Sequence, residues 1–141
     1  LAARDAGIGV ALPPMLAAHA RLAAHADAVV VEGAGGWAAP LGDGIEHADL
    51  ARALDAGVVL VVGLRLGCLS HARLTARAIE ADGCRLLGWI GSRIDPAFDR
   101  VDDYLVLLRD AMPAPCLGVL PHDPAGDARA ASAGLQLPAT H

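Results

Sequence analysis

Three unbroken apolar runs dominate this chain: Val58–Gly63 (VVLVVG), Leu86–Gly91 (LLGWIG) and Cys116–Leu120 (CLGVL). A fourth, Ala28–Val31 (AVVV), precedes them. A strand with one wet face alternates apolar and polar residues. A strand covered on both faces does not alternate, and such strands belong to parallel sheets whose crossovers are helices. The intervening segments have helical character. Pro13-Pro14 opens one that runs to about Asp27, with proline in the first turn, where its missing N–H costs nothing. Glu46–Ala56 carries Leu50 and Leu54 four apart and stops at Gly57. Leu69–Asp82 carries Leu74, Ala78 and Ile79 on one face and stops at Gly83, while Asp99–Met112 carries Tyr104, Leu105 and Leu108 and stops at Pro113. The order predicts an α/β protein with a doubly wound, mostly parallel sheet and right-handed crossovers. Folds of this kind usually begin with a strand and a glycine-rich turn. Neither precedes the first helix here, so the sheet is expected to be missing its first strands.

Length and charge narrow the possibilities. A chain of 141 residues is one domain or part of one. Its residues are 55% hydrophobic but only 3% aromatic, which predicts an aliphatic, alanine-rich core. The net charge of −5, with the 11 cations all arginine and scattered, excludes a nucleic-acid backbone as the main partner. The three cysteines Cys68, Cys84 and Cys116 have no CxxC spacing, so a disulfide framework or zinc site is not expected, and a reduced cytoplasmic setting is. No apolar run approaches the roughly 20 residues of a membrane span. The chain opens on Leu1 in LAARDAG and reads as a piece of a longer sequence. From residue 123 onward Asp, Gly, Pro, Ala and Ser prevail, which predicts a loosely packed tail with one short helix after a domain over 1–122.

Ligands of such sheets bind outside the carboxyl ends of the strands. The first end is Glu32, followed by Gly33, Ala34, Gly35 and Gly36. A carboxylate there suits a hard cation such as Mg²⁺, and small residues let main-chain N–H groups approach an anion. A solvated Glu32 on a plain turn would look the same. At the second end Gly67 precedes a helix whose first N–H groups, near Cys68–Ser70, are free for an anion, although an ordinary N-cap is the commoner role for a residue such as Ser70. Ser92 and Arg93 form the third end, where a base or ribose could be read, and Pro121 and His122 follow the fourth. The six histidines have no i, i+4 pairing, and G-x-S-x-G is absent, so zinc hydrolysis and a serine triad lack support.

The combination VVVEGAGGWAAPL, VVLVVGLRLGCLSHARLTARAI, LLGWIGSRIDP and MPAPCLGVLPH, spread over Leu1 to His122, resembles dethiobiotin synthase. The resemblance implies a P-loop NTPase-like fold. It also implies a reaction in which 7,8-diaminononanoate, CO₂ and ATP give dethiobiotin in biotin synthesis. It makes Glu32 the Mg²⁺ ligand at the γ-phosphate, with Glu32, Gly33, Ala34 and Gly35 lining the nucleotide. Ser92, Arg93, Leu120, Pro121 and His122 then hold adenine and ribose. Cys68, Leu69 and Ser70 receive the substrate carboxylate, and Tyr104 touches substrate. These last groups serve the neighbouring subunit's site in the family, so a homodimer is implied.

Two departures accompany the resemblance. The family commonly has Asn where Ser92 stands, and a hydroxyl cannot offer a base edge the paired donor and acceptor of an amide. The family's phosphate-loop lysine, its second catalytic lysine and an early Asp metal ligand precede the point where this chain begins. The chain has no lysine, so no catalytic residue is assigned within it and the 141 residues alone are expected not to turn over. The alternatives are a non-catalytic dimerising module of the same fold and a cobyrinate-type amidotransferase synthase.

Overall fold

The structure is a computed structural model that describes residues 2–42, 44–123 and 125–138. They divide into two compact units, one ending at Ala56 and the other beginning at Gly57.

The second unit contains most of the buried core and three of the expected strands. β3 (Gly57–Gly63), β4 (Arg85–Ser92) and β5 (Cys116–Leu120) form a parallel sheet in the order β3-β4-β5. The crossovers are α4 (Cys68–Ala81) and α5 (Val101–Ala111). Both helices pack beside each other against the face that carries Val62, Leu64 and Trp89. The stripe that α4 buries is Cys68, Ala72, Ala76 and Ile79, at helical spacing. Its small residues let the helix lie close to the sheet. Gly67 adopts φ 92° as the helix begins and Gly83 φ 77° where it ends, backbone angles that side chains avoid. On α5 the buried residues are Val101, Leu105 and Leu108, while Asp102 and Asp103 lie in the first turn, where the helix dipole favours them.

Register brings the carboxyl ends of the strands level. Gly63 pairs with Ser92, and Ser92 with Leu120. The segment after β5 then returns to the sheet. Asp127 caps α6 (Ala128–Ser132) by accepting from the N–H groups of Arg129 and Ala130, both at 3.1 Å. Beyond it, the Gln136 N–H donates to the Leu117 carbonyl at 2.8 Å.

The first unit departs from expectation. It comprises α1 (Ala2–Asp5), α2 (Leu12–Ala23), a hairpin of β1 (Pro40–Gly42) and β2 (Ile45–Glu46), and α3 (His47–Ala53). The expected strand Ala28–Val31 is not formed: these residues are irregular, and Val30 is 92% exposed. A β-branched run favours extended backbone, but a strand also needs a neighbour to pair with, and no described strand pairs with 28–31. Helix α2 ends at Ala23 rather than near Asp27. None of its residues is buried, so packing does not hold a further turn.

Candidate functional site

At the carboxyl edge of the sheet, main-chain bonds knit three strand ends together. The Ser92 carbonyl accepts from the N–H groups of Leu64 at 2.7 Å and Ile94 at 3.0 Å. The Arg93 N–H donates to the Leu120 carbonyl at 3.1 Å, and His122 Nδ1–H donates to the Arg93 carbonyl at 3.2 Å. Ser92, Arg93, Leu120, Pro121 and His122 are therefore gathered at one edge. Parallel register is the cause, since it stops β4 and β5 at the same level.

Arg93 also reaches α5, where its Nη2 lies 3.2 Å from Asp102 Oδ1. Asp102 is exposed, so the pair orients the guanidinium more than it stabilises the fold. The variant Asp102→Asn is expected to change stability by less than about 0.5 kcal/mol in urea denaturation. A larger loss would mean that the pair holds α5 in place. The adjacent Asp103 bonds Arg100 at 2.5 Å, and that hydrogen bond, with its charge, pushes the exposed guanidinium above its ordinary value.

The start of α4 offers main chain rather than side chain. The Cys68 side chain is buried in the core, and its N–H donates to the Arg65 carbonyl at 3.1 Å. Leu69 is half-buried and Ser70 exposed. Ser70 is not the N-cap: Gly67 holds that position, and no side chain caps the helix. Beside this turn a groove of ≈ 300 Å³ runs along β3, with Gly63, Arg65, His71, Thr75 and Ile94 among its walls. Ile94 folds over Gly63 so closely that a Cβ there would lie 2.6 Å from its Cδ1. Tyr104 is half-buried on α5, its ring edge-on to Phe98 with centroids 4.9 Å apart.

The Glu32 loop belongs to the first unit. Glu32 does not end a strand; it lies on irregular chain with its side chain in solvent, and no described residue pairs with its carboxylate. Gly35 and Gly36 follow at φ 91° and 101° and turn the chain. An exposed carboxylate beside small residues fits a Mg²⁺ ion, which takes one or two protein oxygens and completes its shell with phosphate and water. Among the described residues, no three His, Cys, Asp or Glu converge as an all-protein metal cage. Sequence reasoning missed His47, the first residue of α3, whose ring meets this loop. Thirteen residues separate it from Ala34, and no periodic signal joins them.

The parallel sheet with polar loops at the carboxyl ends of its strands has the α/β character of a P-loop NTPase-like fold, and the chain belongs to the AAA domain family, which matches residues 1–130. Its sequence is similar to the ATP-dependent dethiobiotin synthetase BioD of Xanthomonas euvesicatoria pv. vesicatoria. The two are 53% identical over 138 residues, 98% of this chain and 62% of that protein. The protein of the same name from Xylella fastidiosa is 57% identical over 126 residues, 89% of this chain and 56% of the relative. That from Xanthomonas oryzae pv. oryzae is 52% identical over 138 residues, again 98% and 62%. The chain thus spans about 62% of the length of the Xanthomonas relatives. These relatives do not favour the cobyrinate-type alternative. Among the described residues, no helix is long and apolar enough to cross a membrane.

Proposed function

We propose that this chain forms part of an ATP-dependent dethiobiotin synthetase, which carboxylates 7,8-diaminononanoate with CO₂ and closes the ureido ring. The observation that carries the proposal is the levelled edge where Gly63, Ser92 and Leu120 stop together, in a chain 53% identical to a protein of that name. The reaction brings two anions together, because an amine carbamate must attack the γ-phosphoryl group of ATP before the second amine closes the ring and releases phosphate. The protein's task is therefore positioning and charge neutralisation.

In this reading Ser92, Arg93, Leu120, Pro121 and His122 take the adenosine end of ATP, and Glu32, Gly33, Ala34 and Gly35 line its phosphates. A Mg²⁺ ion held by Glu32 would supply positive charge to the phosphates. The turn at Cys68, Leu69 and Ser70, where the Cys68 N–H is already taken by the Arg65 carbonyl and is not free as expected, takes the diamine's carboxylate end with Tyr104 at a site shared between two copies. Support for a homodimer comes from large apolar side chains left in solvent on the two crossover helices: Leu74 is 59% exposed, Val106 56% and Leu107 49%. A cytoplasmic enzyme is the setting in which these substrates meet. The 141 residues contain no lysine and are expected to yield no dethiobiotin alone.

The test is complementation of a bacterium that cannot make dethiobiotin, using the protein expressed from its own coding region. Growth without biotin is expected, and Glu32→Gln should cut dethiobiotin formation at least about a hundredfold, on the scale of losing one electrostatic group at a reacting phosphate. Accumulated protein that supports no growth would overturn the proposal. Full activity in Glu32→Gln would remove Glu32 from the metal site.

A further inference from the structure

We propose that His47, in its neutral Nδ1–H tautomer, is a positioning residue that fixes the turn after Glu32. Its two ring nitrogens have partners that dictate the proton's place. Nδ1 lies 3.1 Å from the Ala39 carbonyl, which can only accept, so Nδ1 carries the proton. Nε2 lies 3.4 Å from the Ala34 N–H, a long contact with a group that can only donate, so Nε2 must be bare. The imidazole therefore bridges both ends of the loop through opposite roles. Packing adds to the constraint: a Cβ on Gly33 would lie 3.0 Å from His47 Cδ2 and 3.4 Å from Nε2, so the glycine backbone rests on the ring edge.

The histidine is itself anchored. Its N–H donates to the Ala39 carbonyl at 3.1 Å, while the Glu46 N–H donates to Asp49 Oδ2 at 2.9 Å and Arg52 holds Asp49 Oδ1 at 2.6 Å. The start of α3 is thereby fixed, and the ring with it. A phenylalanine would fill similar space but accept nothing from Ala34. Its effect on nucleotide binding rests on the reading of this loop as a phosphate wall. The tautomer and the anchoring do not.

Nitrogen-15 spectra of the histidine rings in the protein expressed from its own coding region test the tautomer directly, with His47 assigned through its ring contacts to Gly33. A protonated Nδ1 and bare Nε2 are expected, the reverse of the form that free imidazole side chains favour in water. An Nε2–H form, or fast averaging of both, would overturn the proposal. In His47→Phe the Ala34 amide should exchange with solvent about fivefold to tenfold faster, the factor of one modest hydrogen bond, with the helical circular dichroism kept. Unchanged Ala34 exchange in a folded variant would also overturn it. Addition of Mg·ATP to the protein expressed from its own coding region then separates the two ideas. Shifted Ala34–Gly36 amides support the phosphate wall, whereas unmoved amides with the Nδ1–H tautomer in place leave the anchoring intact and sink the nucleotide reading.

Discussion

Trp89→Ala is expected to destabilise the protein by about 3–5 kcal/mol, the range for deleting a large aromatic side chain from a packed core. Trp89 stands on β4, the central strand, and its relative exposure is 0%. It belongs to the same cluster as Val62 from β3, Ala72 and Ala76 from α4, and Leu105 and Leu108 from α5. Removing the indole therefore opens a cavity where the sheet and both crossover helices meet. Small domains are stable by only about 5–15 kcal/mol, so roughly a fifth or more of the total is at stake. Trp89→Phe should cost less than half as much. The indole Nε1 is buried without a hydrogen-bond partner among the described residues, and phenylalanine removes that donor together with the lost contacts. Urea denaturation followed by far-ultraviolet circular dichroism gives both values. A cost below about 1.5 kcal/mol for the alanine variant would mean that the cluster collapses around the gap or is not the stabilising core.

Gly118→Ala is expected to cost about 1–3 kcal/mol and to release the segment that follows α6. Gly118 adopts φ 145°, a conformation that L side chains rarely take. A Cβ there would also lie 2.6 Å from the Gly134 carbonyl oxygen and 3.2 Å from Leu135 Cα. These are backbone atoms, so no rotamer change can relieve the clash. The segment must move, and the bond from the Gln136 N–H to the Leu117 carbonyl should break with it. Faster amide exchange at Gln136 with a preserved sheet is the expected result. Gly83→Ala separates strain from clash: that glycine also has positive φ, at 77°, but nothing lies within 4 Å of its Cβ position. It should cost about 1 kcal/mol and leave Gln136 protected. Equal effects of the two variants would show that backbone strain alone accounts for the loss at Gly118.

The second unit was legible because its signals are local and mutually consistent. The run Cys116–Leu120 is a strand with those bounds, and the other two strands extend one or two residues beyond Val58–Gly63 and Leu86–Gly91. Gly83 ends α4 in the predicted left-handed geometry. Strand ends follow from strands, so the gathering of Ser92, Arg93 and His122 could be anticipated as a neighbourhood. Their bonds could not. The contact of His122 with the Arg93 carbonyl spans 29 positions and depends on the register of β4 with β5.

The first unit was legible only in parts. Its helices carried signals, such as the two prolines that open α2, but the paired strands β1 and β2 lack the alternating apolar pattern that would announce them. Val29–Val31 has strong β propensity and yet no described strand beside it. By itself the sequence determined where backbone could extend or coil and which faces were apolar, because those preferences belong to residues a few positions apart. The tertiary structure alone decided which extended segments gained partners, that Arg93 meets Asp102, and that His47 closes on Ala34. Each of those needs a complementary donor or acceptor brought within about 3 Å, and distance along the chain does not encode that approach.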